Sequence, residues 1–416
     1  MPIPLPPGAP ADVIPLPAAD LLTHPNGPLA NPERLVGDTW LTPAIKRALL
    51  LLDQADPRAL AAGSHTGPGH TMLLLAPPRD GHPAWYLRLP DGTTAEPRPA
   101  TRTTAVLPLA GPLNLALYRD QDDSPQYLRT LHPGQLCLLH AGATTLLTAA
   151  PDTVQLVLTH LPDTAPDLRP LSPTDYRAAA ATAHFRLTAP RRDDDRPGLL
   201  LDDIPDLHTA DLPRIHAQAG ALHRLDADRT HLTYLATTTI LSPDRYEASR
   251  TTLLADRLVL ATAHDHGYEI RLNTRHHPAN QRLPHNHAHP FTTRVLAGGY
   301  LHTVSLRTDD RADGPFTTRQ LHPAVTTTEL PGSTYTLAPT LVHQAAMLPD
   351  STTLVLRGPS TAAAHSATDL TPPISTRPAP AADEVPPYSR PMTDDEHHGL
   401  YRYLADTGVI CLPPRR

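Results

Sequence analysis

The chain of 416 residues is poor in cysteine, lysine and aromatic residues. Its two cysteines, Cys137 and Cys411, lie far apart in the sequence; this argues against a disulfide framework and a Cys-ligated zinc site, and suits the reducing cytoplasm. Lys46 is the only lysine and the arginines are scattered, so the basic surface typical of nucleic-acid-binding proteins is missing. No apolar run approaches the roughly 20 residues of a membrane span. We therefore expect neither a nucleic-acid nor a membrane partner.

Proline, with 51 residues, and histidine, with 25, are abundant in this mildly acidic chain of net charge −7. Because so many histidines produce chance pairs, only their spacing within a structural context is informative. A length of 416 residues exceeds one ordinary core and indicates two domains. Residues 1–40 are proline-rich and lack the basic start and apolar core of a signal peptide, so we interpret them as a flexible arm.

Short apolar runs separated by Gly, Pro and Asp occupy residues 70–160 and return over 267–358. Such runs are typical of the strands of a β-sandwich or barrel. Between them, Ser-Pro pairs at Ser172 and Ser242 are typical helix starts. Helices are predicted over 43–54, 172–185, 242–267 and 393–408.

An internal repeat relates residues 133–158 to residues 331–356 at a constant offset of 198, without gaps and with eight identities in 26 positions. We interpret it as two copies of one β-domain. His343 of the second copy stands opposite Thr145 of the first, and residues 87–104, opposite the other histidines at this offset, hold no histidine. A metal site in the second copy would therefore have no counterpart in the first.

The second copy contains candidate metal ligands. His285 and His287 occupy alternate positions, which face the same side of a strand, and His343 on a later strand is placed to supply a third ligand. Neutral imidazole suits iron(II), nickel, copper and zinc, and manganese less well, so three histidines leave the metal open. Three protein ligands also leave coordination positions free, as in catalytic sites.

These features resemble a cupin duplication, a bicupin. The first cupin motif runs His-x-His, three or four residues, usually Glu, six residues and Gly. Counted from His285 and His287 with a gap of four, it places Thr292 at the Glu position and Gly299 at the Gly; starting from His287 and His289 loses the glycine. We expect Gly298 or its neighbour to adopt a positive φ.

The second cupin motif runs Gly, five residues, Pro-x-Gly, two residues and His. Gly332 and His343 have this separation, whereas Ala338 and Thr340 replace the Pro and the second Gly. The resemblance implies a mainly β fold with a helical connector and two cupin-like β-barrel (jelly-roll) domains. The implied division is a degenerate cupin-like domain at 41–165, a helical connector at 166–266, a metal-binding cupin at 267–360, and a Pro/Ala-rich tail with a C-terminal helix at 361–416.

Without a glutamate ligand, the three-His site is similar to that of the thiol dioxygenases of the cupin superfamily, and this resemblance implies iron(II) and O2 chemistry. Zinc, nickel and manganese stay open. Three functions remain: an iron(II) oxygenase acting on a small polar or amino-acid-like metabolite, as in specialised biosynthesis; a zinc or other non-redox enzyme of isomerisation, hydrolysis or rearrangement; and a non-catalytic ligand-binding bicupin. A monomer and a homodimer are both compatible with the sequence.

Other residues near the motif are candidates for substrate contact. Arg294 shares strand parity with Thr292, so we expect it to project into the barrel, either to hold a substrate carboxylate or to close a salt bridge at the rim. His289 is a proton carrier, an alternative metal ligand or an exposed loop histidine. Three nearby strand residues either bind oxygen or substrate or form the barrel wall. The candidate catalytic residues are Arg294, His289 and Tyr300, and the candidate substrate-binding residues are Thr292, His302 and Tyr335.

Overall fold

The structure is a computed structural model. It describes residues 41–78, 84–92, 96–119, 124–159, 168–188, 212, 216, 219–252, 255–263, 268–275, 284–309, 311, 314–348, 350–360, 364–365, 367–369 and 389–411. The arm predicted over 1–40 and most of the predicted Pro/Ala-rich tail lie outside these residues. In the described ranges, every helix is too short or too polar to cross a membrane.

Strands outnumber helices among the described residues. The helices are α1 (Leu41–Asp53), α2 (Pro57–Leu60), α3 (Pro173–Thr188), α4 (Ala219–Ala227), α5 (Arg229–Thr238), α6 (Pro243–Ala248) and α7 (Asp394–Asp406). The strands are β1 (His65–Gly67), β2 (His70–Ala76), β3 (Ala84–Pro90), β4 (Arg98–Pro99), β5 (Thr104–Ala110), β6 (Leu113–Tyr118), β7 (Tyr127–Leu131), β8 (Cys137–Leu139), β9 (Thr144–Ala149), β10 (Val154–Thr159), β11 (Arg169–Pro170), β12 (Arg250–Thr252), β13 (Asp256–Ala263), β14 (Tyr268–Arg275), β15 (Phe291–Ala297), β16 (Tyr300–Arg307), β17 (Leu321–Glu329), β18 (Thr334–Leu337), β19 (Val342–Met347), β20 (Ser351–Arg357) and β21 (Ser389–Pro391).

The chain divides into two compact units. Unit 1 comprises Met1–Pro125, Arg129–Asp194 and Pro323–Thr328, and unit 2 comprises Gln126–Leu128, Asp195–His322 and Glu329–Arg416. In unit 1, one sheet has the order β11-β1-β2-β3-β10-β5-β8, and β4, β9 and β6 form a second set of neighbours. All the strand pairs with a described register are antiparallel, as in a jelly roll.

Unit 2 repeats this order. One sheet runs β21-β12-β13-β14-β20-β15-β18, while β19 pairs with β16 on one side and bridges to His285 on the other. The strands β14-β20-β15-β18 thus correspond to β3-β10-β5-β8 of unit 1. Strands β9 and β19 also begin and end 198 residues apart, which agrees with the predicted repeat. The predicted fold class, mainly β with two jelly-roll domains, is confirmed.

Alternation along the strands of unit 2 separates two environments. One buried apolar cluster joins residues of α4, α5 and α7 to the strand residues Leu258, Ile270, Leu272, Leu354 and Leu356. The intervening positions face the opposite side of the sheet. The helices therefore cover one face of the sheet with apolar contacts, and the other face is left for the barrel interior.

The helix predicted over 242–267 is wrong beyond its first turns. Helix α6 begins at Pro243 as predicted but ends at Ala248, and residues 256–263 form β13 instead of helix. Within β13, Leu258 and Leu260 alternate with Arg257 and Val259, and the strand pairs along its length with β14. Tertiary pairing therefore overrides a sequence whose apolar residues also fit a helical period. The helices predicted at 43–54, 172–185 and 393–408 are present, the last with the capping box of Thr393 and Glu396.

Candidate metal centre

Three histidines converge in the interior of unit 2. His285 and His343 form a two-way backbone bridge, with N–O distances of 2.9 and 2.8 Å, and His287 follows two residues later. One ring nitrogen from each of the three residues lies within 4.8 Å of the others. The structure therefore brings together the three residues that the sequence predicts as metal ligands.

The ring nitrogens have the spacing of ligands around one cation. Nε2 of His287 lies 2.8 Å from Nε2 of His343. Two such nitrogens can share at most one proton, and two nitrogens bound at right angles about 2.1 Å from one ion would be about 3 Å apart. The three residues thus fit a single metal ion, and their neutral imidazoles suit a first-row divalent metal.

A chain of polar contacts lies behind His343. Its Nδ1 is 2.8 Å from Nε2 of His302, and Nδ1 of His302 is 3.6 Å from Oε1 of Glu329. Both His302 and Glu329 are fully buried. When Nε2 of His343 faces an ion, its Nδ1–H donates to His302 and the other nitrogen of His302 carries a proton toward the carboxylate. This arrangement fixes the tautomer and orientation of His343.

Burial lowers the pKa of His287 and of His343 well below the ordinary value of 6.5, and the neighbouring histidines lower both further. The positive charges of Arg257 and Arg271 add to the lowering of the pKa of His287. The two imidazoles are consequently neutral near pH 7. Neutral imidazole is the form that binds a metal.

The structure corrects the register of the first motif. His285, His287 and His343, the histidine triad, line a cavity, and Phe291 and Thr293 line the same cavity. Thr292 lies on the other face of β15, where its fully buried hydroxyl pairs with that of Thr336 at 2.8 Å. A gap of three residues after His287 thus places Phe291 where the motif has Glu. The same count ends at Gly298, which has a φ of +67° and would bring a Cβ within 2.6 Å of the Ser351 backbone. No carboxylate stands at the motif position in either register, and the substrate-binding role of Thr292 is not supported.

Arg294 does not project into the barrel. Its Nε donates to Asp226 at 2.7 Å and its Nη1 donates to the carbonyl of Gly332 at 3.0 Å. The expected inward orientation is wrong, because Arg294, like Thr292, lies on the face of β15 that meets helix α4. Of the two predicted roles, a salt bridge is the one that the structure shows, and Asp226 is its partner. Arg294 ties this helix to the sheet and is no longer a candidate to hold substrate.

The remaining predicted catalytic and substrate-binding residues differ in their position relative to the cavity. Tyr300 and Tyr335 line the cavity, and their hydroxyl groups lie 2.9 Å apart. His302 stands behind His343 and does not line the cavity; in place of the predicted contact with substrate it contacts His343, a candidate ligand. His289 is partly buried outside the cavity, where burial lowers its pKa. It is not one of the three clustered histidines.

The turn before His343 also differs from the motif in an informative way. Thr340, at the position of the second motif glycine, has a φ of +70°, a backbone conformation that favours glycine. Its backbone N–H donates to the carbonyl of His287 at 3.2 Å. This turn therefore holds the backbone of one candidate ligand close to the strand that carries another.

The cavity also contains polar residues that the sequence analysis missed. Arg257, Arg271 and Asn273 line it together with the triad, and its volume is about 90 Å³. Arg257 was hidden in the segment predicted as helix. In "YEIRLNT", however, Glu269, Arg271 and Asn273 alternate with buried apolar residues, a polar strand face that could have been recognised from the sequence.

The chain has only distant similarity to known proteins. No family model matches the chain, and no curated protein matches it. Among solved structures, it is similar to oxalate decarboxylase from Bacillus subtilis at pH 4.6, with 12% identity, coverage of 73% of this chain and 75% of the other, and a TM-score of 0.21. A second structure, of the same enzyme and connected with its Mn(II) centres, has 12% identity, coverages of 73% and 76%, and a TM-score of 0.21. Likenesses this weak carry no conclusion about the function of this chain.

Proposed function

We propose that unit 2 is a metal-dependent enzyme domain of the cupin type, in which His285, His287 and His343 hold one divalent ion. The observation that carries this proposal is the convergence of three ring nitrogens within 4.8 Å at the wall of a cavity. The two-domain jelly-roll order and the spacing of the histidines support the cupin assignment.

We further propose iron(II) as the metal and an oxygenase reaction on a small polar metabolite. An all-imidazole set of three ligands without a carboxylate supports this choice, because it leaves several coordination positions for other groups. Bound there, iron(II) would supply O2 activation and a Lewis acid next to the substrate.

The chain's own residues have definable tasks in such a site. Phe291 contacts the rings of both His287 and His343, with centroid distances of 4.7 and 5.8 Å, and keeps water from that side. The paired hydroxyl groups of Tyr300 and Tyr335 offer a proton and a hydrogen-bond acceptor at the cavity wall. His302 and Glu329 hold His343 in one tautomer.

A second candidate keeps the site but uses zinc. Three histidines with an open fourth position form a common catalytic zinc set, and such an ion lowers the pKa of bound water to about 7. The neutral state of His287 and His343 suits zinc as well as iron. This version would catalyse isomerisation, hydrolysis or rearrangement without O2.

Metal analysis of protein purified without added metal tests both versions. We expect about one equivalent of iron per chain in the wild type, and loss of iron in His343→Ala because one of three ligands is removed. His398→Ala, which changes an exposed histidine on α7, is the matched control and should keep the metal.

The outcomes separate the alternatives. Iron lost only in the triad variant supports the oxygenase, and uptake of O2 with candidate metabolites would then identify the substrate. Zinc lost only in the triad variant supports the second candidate. Wild-type protein without any stoichiometric metal, even after incubation with iron(II) or zinc, would contradict the proposed function and leave a non-catalytic ligand-binding domain.

A further inference from the structure

Two arginines share the cavity of the histidine triad. Arg257 on β13 pairs in register with Asn273 on β14, and Arg271 lies two residues before Asn273 on the same face. Diagonal neighbours of this kind are within reach of each other when the side chains are long. Both guanidinium groups are near enough to the triad that their charges lower the pKa of His287.

Positive charge is in excess around this cavity. Glu269 accepts from Arg271 at 3.3 Å and also lies 3.6 Å from Nη2 of Arg357. The same carboxylate is the source of the favourable charge interaction at Arg257. One carboxylate thus serves three guanidinium groups among the described residues, before the charge of any metal is counted.

Polar atoms of the same residues lack partners. Nε of Arg257, Nε of Arg271 and Oδ1 of Asn273 are buried without a hydrogen-bond partner among the described residues. Burial also lowers the pKa of Arg271 to about 9; the charges of Arg257 and Arg357 lower it further, and Glu269 opposes the lowering only in part. Buried, uncompensated guanidinium groups are costly, and an anionic ligand would supply both the charge and the acceptors.

We propose that Arg257 and Arg271 bind the carboxylate of a small organic anion, which is the substrate class of the triad's cavity. This inference rests on the proposed function, since it names what that site takes. Guanidinium groups match carboxylate oxygens in charge and geometry. The cavity of about 90 Å³ exceeds the roughly 10–15 Å³ needed by one water but admits only a small molecule. The three guanidinium groups of Arg257, Arg271 and Arg357 exceed the single carboxylate of Glu269 by two positive charges, and this excess favours a dianion over a monoanion.

Calorimetric titration with matched ligands tests the inference. The probes are malonate, propionate and the uncharged malonamide, each titrated into metal-free and metal-loaded wild-type protein. We expect malonate to bind more tightly than propionate, and malonamide to bind about 10- to 100-fold more weakly than malonate, as expected for loss of charged hydrogen bonds. Equal affinity for malonate and malonamide would overturn the inference.

Variants locate the binding groups. Arg257→Gln removes one positive charge and should weaken malonate binding about 10- to 100-fold, with little change for malonamide. Arg319→Gln removes an exposed charge of the same unit and should leave malonate affinity unchanged. If Arg257→Gln does not fold, Arg257→Lys and Arg271→Lys keep the charge but lose the forked geometry, and they should still weaken malonate binding. Unchanged malonate affinity in the folded variants would overturn the inference.

Metal content measured on the same samples separates this inference from the proposed function. Metal bound as in the wild type, together with malonate binding lost in the arginine variants, supports both. Metal bound without any preference for malonate overturns the anion site alone. Malonate binding that depends on Arg257 in a protein that never binds metal supports the anion site and contradicts the metalloenzyme.

Discussion

In unit 1 the register of β4 and β9 sets Arg98 opposite Thr145, whereas in unit 2 the equivalent bridge sets His285 opposite His343. The same registers relate other interior positions of the two units. The equivalent pairs, with the residue of unit 2 first, are Arg257 and Met72, Arg271 and Tyr86, Asn273 and Arg88, Thr293 and Val106, Tyr300 and Leu113, His302 and Leu115, Tyr335 and Cys137, and His343 and Thr145.

The difference shows which residues the fold requires. Unit 1 forms the same strand order with Met72, Leu113 and Leu115 where unit 2 has an arginine, a tyrosine and a histidine. Polar groups buried at these positions cost free energy that apolar residues would not. Unit 2 therefore keeps a histidine triad and two arginines that its strand order does not need, and a role in binding is the simplest account of them.

Removing a triad ligand should have the largest effect. Loss of a residue that only supports a metal ligand typically lowers metal affinity about 10- to 100-fold. In His285→Ala we expect a larger fall in the affinity for iron(II). Arg98→Ala, at the equivalent position of unit 1, should leave it unchanged. Competition titration against a chelator measures both. Equal loss in the two variants would contradict the assignment of the metal to unit 2.

Glu329→Gln should have a smaller effect, because Glu329 is connected to the proposed metal site only through His302 and His343. We expect the affinity for iron(II) to fall about 10- to 100-fold while the chain remains folded. Glu247→Gln, which changes an exposed carboxylate of unit 2, is the control. A shift in the electronic absorption of bound cobalt(II) in Glu329→Gln alone would show that the ligand field has changed; an unchanged spectrum and affinity would reject the role of Glu329.

Much of this comparison could be predicted from the sequence, because strand alternation and ligand spacing are local properties. The repeat, the two β-domains and the three histidines belong to this group. The offset of 198, however, set residues 87–104 opposite the histidines, whereas the structure sets Arg98 opposite Thr145. The equivalent positions Arg98 and His285 are 187 residues apart, whereas Thr145 and His343 are 198 apart. The offset changes because the connection between β6 and β7 is shorter than the one between β16 and β17, and sequence spacing alone does not show this.

Parity assignments failed where they depended on a single residue. A shift of one residue in the motif moved the expected interior face of β15 from Phe291 and Thr293 to Thr292 and Arg294. Because side chains on a strand alternate, such a shift reverses every orientation on it. Glu329 could not be placed beside His302 from the sequence either, since that contact joins residues 27 positions apart on two strands.

The pH dependence of stability should also distinguish the units. Because the pKa of His343 is well below 6.5 in the folded state, the unfolded chain binds a proton below pH 6.5 that the folded chain does not. The free energy of unfolding of metal-free protein should therefore decrease as the pH falls below 6.5, by at most about 1.4 kcal/mol per pH unit for this group.

Urea unfolding at pH 7.5 and 5.5 measures this dependence. His70 of unit 1, whose pKa burial lowers to about 4, acts in the same direction, so the informative quantity is the difference between variants. His343→Ala should lose part of the decrease, and Thr145→Ala at the equivalent position of unit 1 should retain all of it. Parallel curves for His343→Ala and the wild type would show that this histidine is not held neutral by the fold.

The smallest effect is expected at the turn before β19. Thr340 of unit 2 has a φ of +70°, and its equivalent in unit 1 is Gly142, with a φ of +85°. Relief of about 1–2 kcal/mol of left-handed strain in Thr340→Gly is partly offset by about 0.5–1 kcal/mol of glycine entropy, so we expect a stabilisation of about 1 kcal/mol or less. The converse variant, Gly142→Thr, should destabilise the chain. Thermal unfolding of both variants measures the effect. A destabilised Thr340→Gly would mean that the threonine side chain stabilises the turn by more than its backbone conformation costs.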